Sequence, residues 1–133
     1  MTPHTFLHPQ RWKRPKGYAN GIAAEGRLVF LAGQIGWNAE QRFESADFIA
    51  QARQALANIV ALVREAGGGA EHITRLTWFV VDKKEYLSRL SELGAAYRSV
   101  MGTHFPVMTL VQVAALVEDE ARVEIEATAV VPN

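Results

Sequence analysis

The sequence predicts an α+β domain with the element order β-β-α-β-α-β-β, both helices lying on one face of the sheet. Three observations carry this. Two stretches have the apolar spacing of amphipathic helices. The segments around them are dense in β-branched and aromatic residues, as strands are. Helices and strands alternate along the middle of the chain, which separates this pattern from a helical bundle or a β-sandwich.

Residues 1–16 hold Pro3, Pro9 and Pro15 and are expected to form an irregular arm before a single domain over residues 17–133. Tyr18–Ala24 and Leu28–Gly33 flank Glu25-Gly26-Arg27, a short glycine-bearing turn, and read as a β-hairpin. A loop runs from Gly33 to Arg42. The first helix follows, with Ser45 as its expected N-cap and Asp47 in the first turn, where the helix dipole favours a carboxylate. Ile49, Ala52, Leu56, Ile59, Val60 and Val63 form its apolar stripe, and Gly67-Gly68-Gly69 ends it. Ile73–Val81 reads as a strand. Asp82 and Glu85 have capping-box spacing and open a second helix, whose stripe is Tyr86, Leu90, Leu93, Tyr97 and Met101 and whose stop is Gly102. Two strands close the chain, Met108–Ala114 and Arg122–Val131, with a turn at Glu118-Asp119-Glu120.

Two of these strands have apolar residues in both phases. Ile73, Phe79 and Val81 alternate with Leu76, Trp78 and Val80, and Met108 and Leu110 stand opposite Val111 and Val113. Two helices cover one sheet face only. The other face would be an exposed apolar patch, the mark of an interface, so a homo-oligomer is expected. The competing cover is the N-terminal arm folded back over that face.

Composition narrows the function. The 133 residues carry 14 basic and 14 acidic side chains, so no net charge draws the molecule to nucleic acid or to an anionic membrane. Cysteine is absent, which excludes a disulfide framework, a thiolate metal site and a cysteine nucleophile. No apolar run approaches the roughly 18 residues of a spanning helix. The polar, proline-broken N-terminus has no apolar core of a signal peptide, and a cytoplasmic protein is the expectation.

Several motifs fall in a familiar order: Gly17-Tyr18; Ala32-Gly33-Gln34-Ile35; Gln51-Ala52-Arg53-Gln54-Ala55-Leu56 with Asn58-Ile59 and Glu65-Ala66-Gly67; Phe79-Val80-Val81-Asp82; Tyr97; Phe105-Pro106; and Val123-Glu124-Ile125-Glu126-Ala127. From about Lys16 to Val131 the chain resembles the RidA family, also called YjgF or L-PSP. The resemblance implies a chorismate-mutase-like α+β fold packed as a homotrimer, which would bury the uncovered sheet face. It implies small-molecule clefts between neighbouring subunits. It also implies hydrolysis of an imine or enamine to a 2-keto acid and ammonia, with no metal or organic cofactor.

That reaction needs a cationic fork for a substrate carboxylate, for which arginine is suited. It also needs a positioned water, a proton for the nitrogen, and fixed dipoles for developing charge. By resemblance, Glu124 holds the attacking water, Tyr18 lines the cleft and Gly33 lies near the ligand. Two positions depart from the deaminase pattern. Met108 stands where the carboxylate-binding arginine belongs, and Gly94 stands where asparagine is common, in a stretch longer by about one helical turn. A thioether cannot bind a carboxylate bidentately. Losing such a bond costs about 2–5 kcal/mol, or about 30- to 5,000-fold. Met108 and Leu110 would make that end of the cleft apolar, which argues against 2-iminobutanoate/2-iminopropanoate deaminase activity.

The function expected is therefore a RidA-like hydrolase for an imine, enamine or related metabolite. The alternatives are a non-catalytic metabolite-binding or regulatory trimer and an RNA-acting protein. Arg98 and Arg42 are candidate substitute cations, and His104 a candidate proton donor at the cleft mouth. His4 and His8 have the spacing of a helical metal pair but lie in a proline-bounded arm with no third ligand near. Arg11-Trp12-Lys13-Arg14-Pro15-Lys16 could grip phosphate or stack a base, and some RidA relatives carry an endoribonuclease label. With zero net charge it reads instead as a solvated arm, and nucleic acid is disfavoured as a partner.

Overall fold

Apolar periodicity from Ile49 to Val63 gives the long helix of the molecule. In the computed structural model, which describes residues 2–133, it runs as α1 from Phe48 to Glu65. Its cap is Asp47 and not Ser45. Asp47 Oδ2 accepts from the Ala50 N–H at 3.1 Å, while Ser45 Oγ accepts from the N–H of Asp47 itself at 3.0 Å. The two short polar residues act in series, and the one nearest the buried Phe48 takes the cap. Gly67, at φ +84°, closes α1 in a left-handed turn, with the Gly68 N–H reaching the Val63 carbonyl at 3.0 Å.

The strands are β1 (Thr5–Leu7), β2 (Gly21–Ala23), β3 (Arg27–Ile35), β4 (Ile73–Val80), β5 (Val107–Gln112) and β6 (Val123–Val131). Four form a mixed sheet in the order β3-β6-β4-β5, with β4 and β5 parallel and the other neighbours antiparallel. The expected hairpin is replaced by a different pairing. β2 pairs with β1, and β3 pairs with the distant β6. Gly26 explains the parting of the ways: its φ of +144° sets its α-carbon against the Val131 backbone, where no Cβ would fit. The arm expected to be irregular thus supplies a strand, one too short for its alternation to be legible.

The second predicted helix is two: α2 (Lys83–Ser88) and α3 (Leu90–Met101), interrupted at Arg89 with φ −128°. Asp82 caps α2 as expected, with Oδ1 accepting from the N–H groups of Lys84 and Glu85. No Gly or Pro marks the break, and the apolar stripe passes through it in phase, so periodicity does not register it. The break lets α3 bury Leu93, Ala96, Tyr97 and Met101 against the core, while α2 buries no residue fully.

The helices cover one sheet face. Leu76, Trp78 and Val80 of β4 meet Val123, Ile125 and Ala127 of β6 beneath them. A bulge between Ile73 and Arg75 shifts the phase of β4, so Ile73 joins this buried row although the alternation predicts the opposite face. The open face consequently carries Arg75, Thr77 and Phe79 beside Thr128, Glu126 and Glu124, a more polar surface than the sequence suggests. Leu28 and Phe30 of β3 remain 65% and 75% exposed. The arm does not cover them. It docks at the sheet end, where His4 Nε2 lies 3.1 Å from the His72 carbonyl oxygen. No helix is long and apolar enough to cross a membrane, among the described residues.

Candidate functional site

Parallel pairing of β4 with β5 puts Met108 beside Leu76 and Leu110 beside Trp78, all pointing to the helix side. At the sheet edge residues of α2, α3 and β5 and residues 16–18 share one lining. Between them lies a cleft of about 440 Å³, within the size range of small-molecule sites. Of the six residues singled out in the sequence, Tyr18, Gly94, Met108 and Leu110 line it. Trp78, Tyr86, Leu90, Leu93, Tyr97 and Phe105 complete most of the wall. The sequence pattern reads Trp78 as strand, Tyr86, Leu90, Leu93 and Tyr97 as helix stripe, and Phe105 as part of a loop motif. Their aromatic density around one β-strand is the signal that could have marked them.

The other two residues meet elsewhere. Glu124 projects from β6 to the open face, and its carboxylate lies over Gly33: a Cβ at Gly33 would fall 2.5 Å from Glu124 Oε2. One chain therefore presents two half-sites, an apolar cleft on the helix side and a carboxylate on the open side. The sheet separates them.

The polar groups of the cleft are few. Tyr97 Oη donates to the His104 carbonyl at 2.6 Å, and its ring stacks on Phe105 with centroids 5.1 Å apart. Burial pushes the Tyr97 phenol well above its ordinary value, so it stays a neutral, fixed part of the wall. Lys16 is the one charged side chain in the lining, among the described residues. Trp78 is only 3% exposed, and its Nε1–H has no hydrogen-bond partner there. A buried donor left in this state costs about 1–3 kcal/mol.

The remaining candidates divide. Arg98 does not line the cleft, although its Nη1 lies 3.2 Å from where a Cβ on the lining residue Gly94 would stand. Arg42 is exposed in the loop before α1 and does not line the cleft. His104 is buried, not at the mouth. Its Nε2 lies 2.7 Å from the Ile73 carbonyl oxygen, and burial lowers its pKa, which keeps the ring neutral. His4 and His8 are each bound to a backbone carbonyl, of His72 and Trp12. No group of three metal-ligating side chains occurs among the described residues.

An α+β domain with a small-molecule-sized cleft at the edge of its sheet is the class this geometry defines. Within it the chain belongs to the endoribonuclease L-PSP family, the RidA or YjgF family, whose sequence model matches residues 10–131. A RutC family protein of Haemophilus influenzae is 37% identical over 105 residues, spanning 79% of this chain and 80% of the relative. A 2-iminobutanoate/2-iminopropanoate deaminase of Escherichia coli is 35% identical over 116 residues, 85% of this chain and 86% of that one. Among solved structures, a Rid-family protein of unknown function from Yersinia pestis superposes with a TM-score of 0.82 at 29% identity. The match covers 96% of this chain and 98% of the other. Escherichia coli TdcF with bound serine gives a TM-score of 0.68 at 30% identity, covering 96% of this chain and 98% of that one.

Proposed function

We propose that the chain is a cofactor-independent hydrolase of an imine, enamine or related metabolite, acting in clefts between the subunits of a homotrimer. The observation that carries the reading is the convergence of Tyr18, Gly94, Met108 and Leu110 on one cleft that lacks a carboxylate, with Glu124 on the opposite sheet face. Apposing the open face of one copy to the cleft of the next brings the two half-sites together. The kinship with a protein named as a 2-iminobutanoate/2-iminopropanoate deaminase supports the reaction type.

In this mechanism the cleft of one subunit holds the ligand and Glu124 of the next orients water toward the C=N carbon. Water adds, one of its protons passing to nitrogen. The hydroxyl proton of the resulting carbinolamine passes to its nitrogen as the C–N bond breaks, releasing ammonia and leaving a carbonyl. Met108 supplies no charge for a substrate carboxylate, so small 2-imino acids are poor substrates.

The test is ammonia and keto-acid release from 2-iminobutanoate generated in the assay. The wild type is expected near the uncatalysed background, and Met108→Arg is expected to raise the rate by at least about 30-fold. A wild-type rate far above background overturns the role given to Met108 and assigns the carboxylate to Lys16 or Arg98. A non-catalytic metabolite-binding trimer is the second reading, favoured by a cleft whose lining holds no carboxylate or histidine among the described residues. Heat stabilisation by a metabolite that is never turned over would select it.

A further inference from the structure

We propose that residues 4–23 form a proton-sensitive strap. Two buried histidines, His4 and His104, hold the β1–β2 ribbon against the body while they are neutral. They release it, and Tyr18 with it, when the pair takes up a proton.

β1 and β2 form a ribbon separate from the four-stranded sheet. Phe6 and Leu7 stay 47% and 50% exposed, so little apolar burial holds it, as in elements that open locally. Its ties to the body are polar and aromatic. His4 Nε2 donates to the His72 carbonyl at 3.1 Å, and the two rings lie 6.3 Å apart. The Phe6 ring lies 6.3 Å from that of His104. The Ala19 N–H donates to the Pro106 carbonyl at 3.0 Å. Between β1 and β2 the chain carries Lys16, Gly17 and Tyr18, which line the cleft.

His104 stands where strap and cleft join. Its Nε2 donates to the Ile73 carbonyl at 2.7 Å, its own carbonyl accepts from Tyr97 Oη, and the next residue, Phe105, lines the cleft. A carbonyl only accepts, so Nε2 carries the proton of the neutral ring and a second proton goes to Nδ1. The titratable groups facing it are His4 from the arm, His72 and Glu71 from the turn Ala70–His72 before β4, and Tyr97 from α3. His72 Nδ1 accepts from the Gly69 N–H at 3.0 Å and so carries no proton either. Three imidazoles thus share one joint with a single carboxylate, whose side chain is 40% exposed.

An imidazolium in that joint loses its water and gains little opposite charge. Burial holds the His104 pKa below its ordinary 6.5. A histidine with a lowered folded-state pKa stabilises its packing in full above the ordinary value. That contribution is lost as pH falls through the folded one. Lifting the ribbon relieves the charge, because it carries His4 away and lets water reach His104.

The test is an NMR titration of 15N-labelled protein from about pH 7.5 to about pH 5. The amides of Phe6, Leu7, Tyr18 and Ile22 are expected to move together toward unstructured positions as the His104 ring titrates. Those of Leu56 and Ile59 in α1 should hold still. His104→Gln keeps a donor for the Ile73 carbonyl but takes up no proton, and should abolish the ribbon transition. Should that variant not fold, the wild-type comparison of the His104 ring with the ribbon amides still decides. Four results overturn the proposal: a ribbon unchanged across the range, ribbon and α1 changing together, a ribbon midpoint that departs from that of the His104 ring, or an unaltered transition in His104→Gln. No substrate enters these measurements, so the hydrolase reading stands or falls separately in the ammonia assay.

Discussion

Gly33 and Gly36 lie three residues apart at the end of β3, and a methyl group would meet different matter at each. At Gly33 it meets the carboxylate end of Glu124, which can swing away. At Gly36 it meets Gln51, with the Gln51 α-carbon 2.6 Å away. That backbone belongs to α1 and cannot yield cheaply. Gln51 is also 1% exposed and ties two loops to α1 through three hydrogen bonds: its Nε2 donates to the carbonyls of Ser45 and Glu120, and its Oε1 accepts from the Arg122 N–H. Gly36→Ala is therefore expected to destabilise the fold by about 1–3 kcal/mol, with Gly33→Ala well below that. Urea unfolding of the two variants measures the difference, and equal losses would refute it. Gly33→Ala should instead act on Glu124-dependent turnover.

At the scale of the element, one ion-paired cluster joins the start of α1 to the break between α2 and α3. Arg89 Nη1 donates to Asp47 Oδ1 at 2.7 Å, and its Nη2 to Glu92 Oε2 at 2.9 Å. Asp47 therefore caps its own helix with one oxygen and holds the helix break with the other. The hydrogen bond from Arg89 holds the Asp47 carboxyl below its ordinary 3.8. A carboxylate with a lowered folded-state pKa gives its stabilisation in full above the ordinary value and loses it as pH falls through the folded one. Asp47→Ala should cost about 1 kcal/mol at neutral pH through the lost cap alone. That deficit should shrink in unfolding curves taken below about pH 4. A deficit of the same size at pH 3 would show that Asp47 acts by shape and not by charge. The pairing of Arg89 with residues 42 positions away is also why a break at Arg89 escapes a reading of local periodicity.

At the scale of the whole molecule, the open sheet face is the unfinished surface. Leu28 and Phe30 stand out from it among Arg75, Thr77, Glu126 and Thr128, and Glu124 shares the face. Packing three copies on this face would shelter the apolar pair and carry Glu124 toward a neighbour's cleft. The native protein is expected to run as a trimer in light-scattering chromatography at micromolar concentration. Phe30→Glu, which sets a charge beside Glu126, should shift it toward monomer with its far-UV spectrum unchanged. A monomeric wild type would remove both the trimer and the shared site. Loss of imine turnover in the monomerised variant, with its fold intact, would place the reacting carboxylate on a second copy.

The α+β class, the α1 stripe, the Asp82 cap and the family were legible in the sequence, which also singled out Tyr18, Gly94, Met108 and Leu110, four of the residues that line the candidate cleft. Each rests on contacts between residues near in the chain or on the order of short motifs. Tertiary structure decided the rest. The β1–β2 and β3–β6 pairings depend on Gly26 meeting Val131, more than a hundred residues away. The phase of β4 depends on a bulge against β6. The unpartnered Trp78 N–H and the separation of Glu124 from Met108 depend on which sheet face each strand turns toward the helices. Alternation within a strand says that neighbouring residues face opposite ways. Only packing between strands and helices says which way is in.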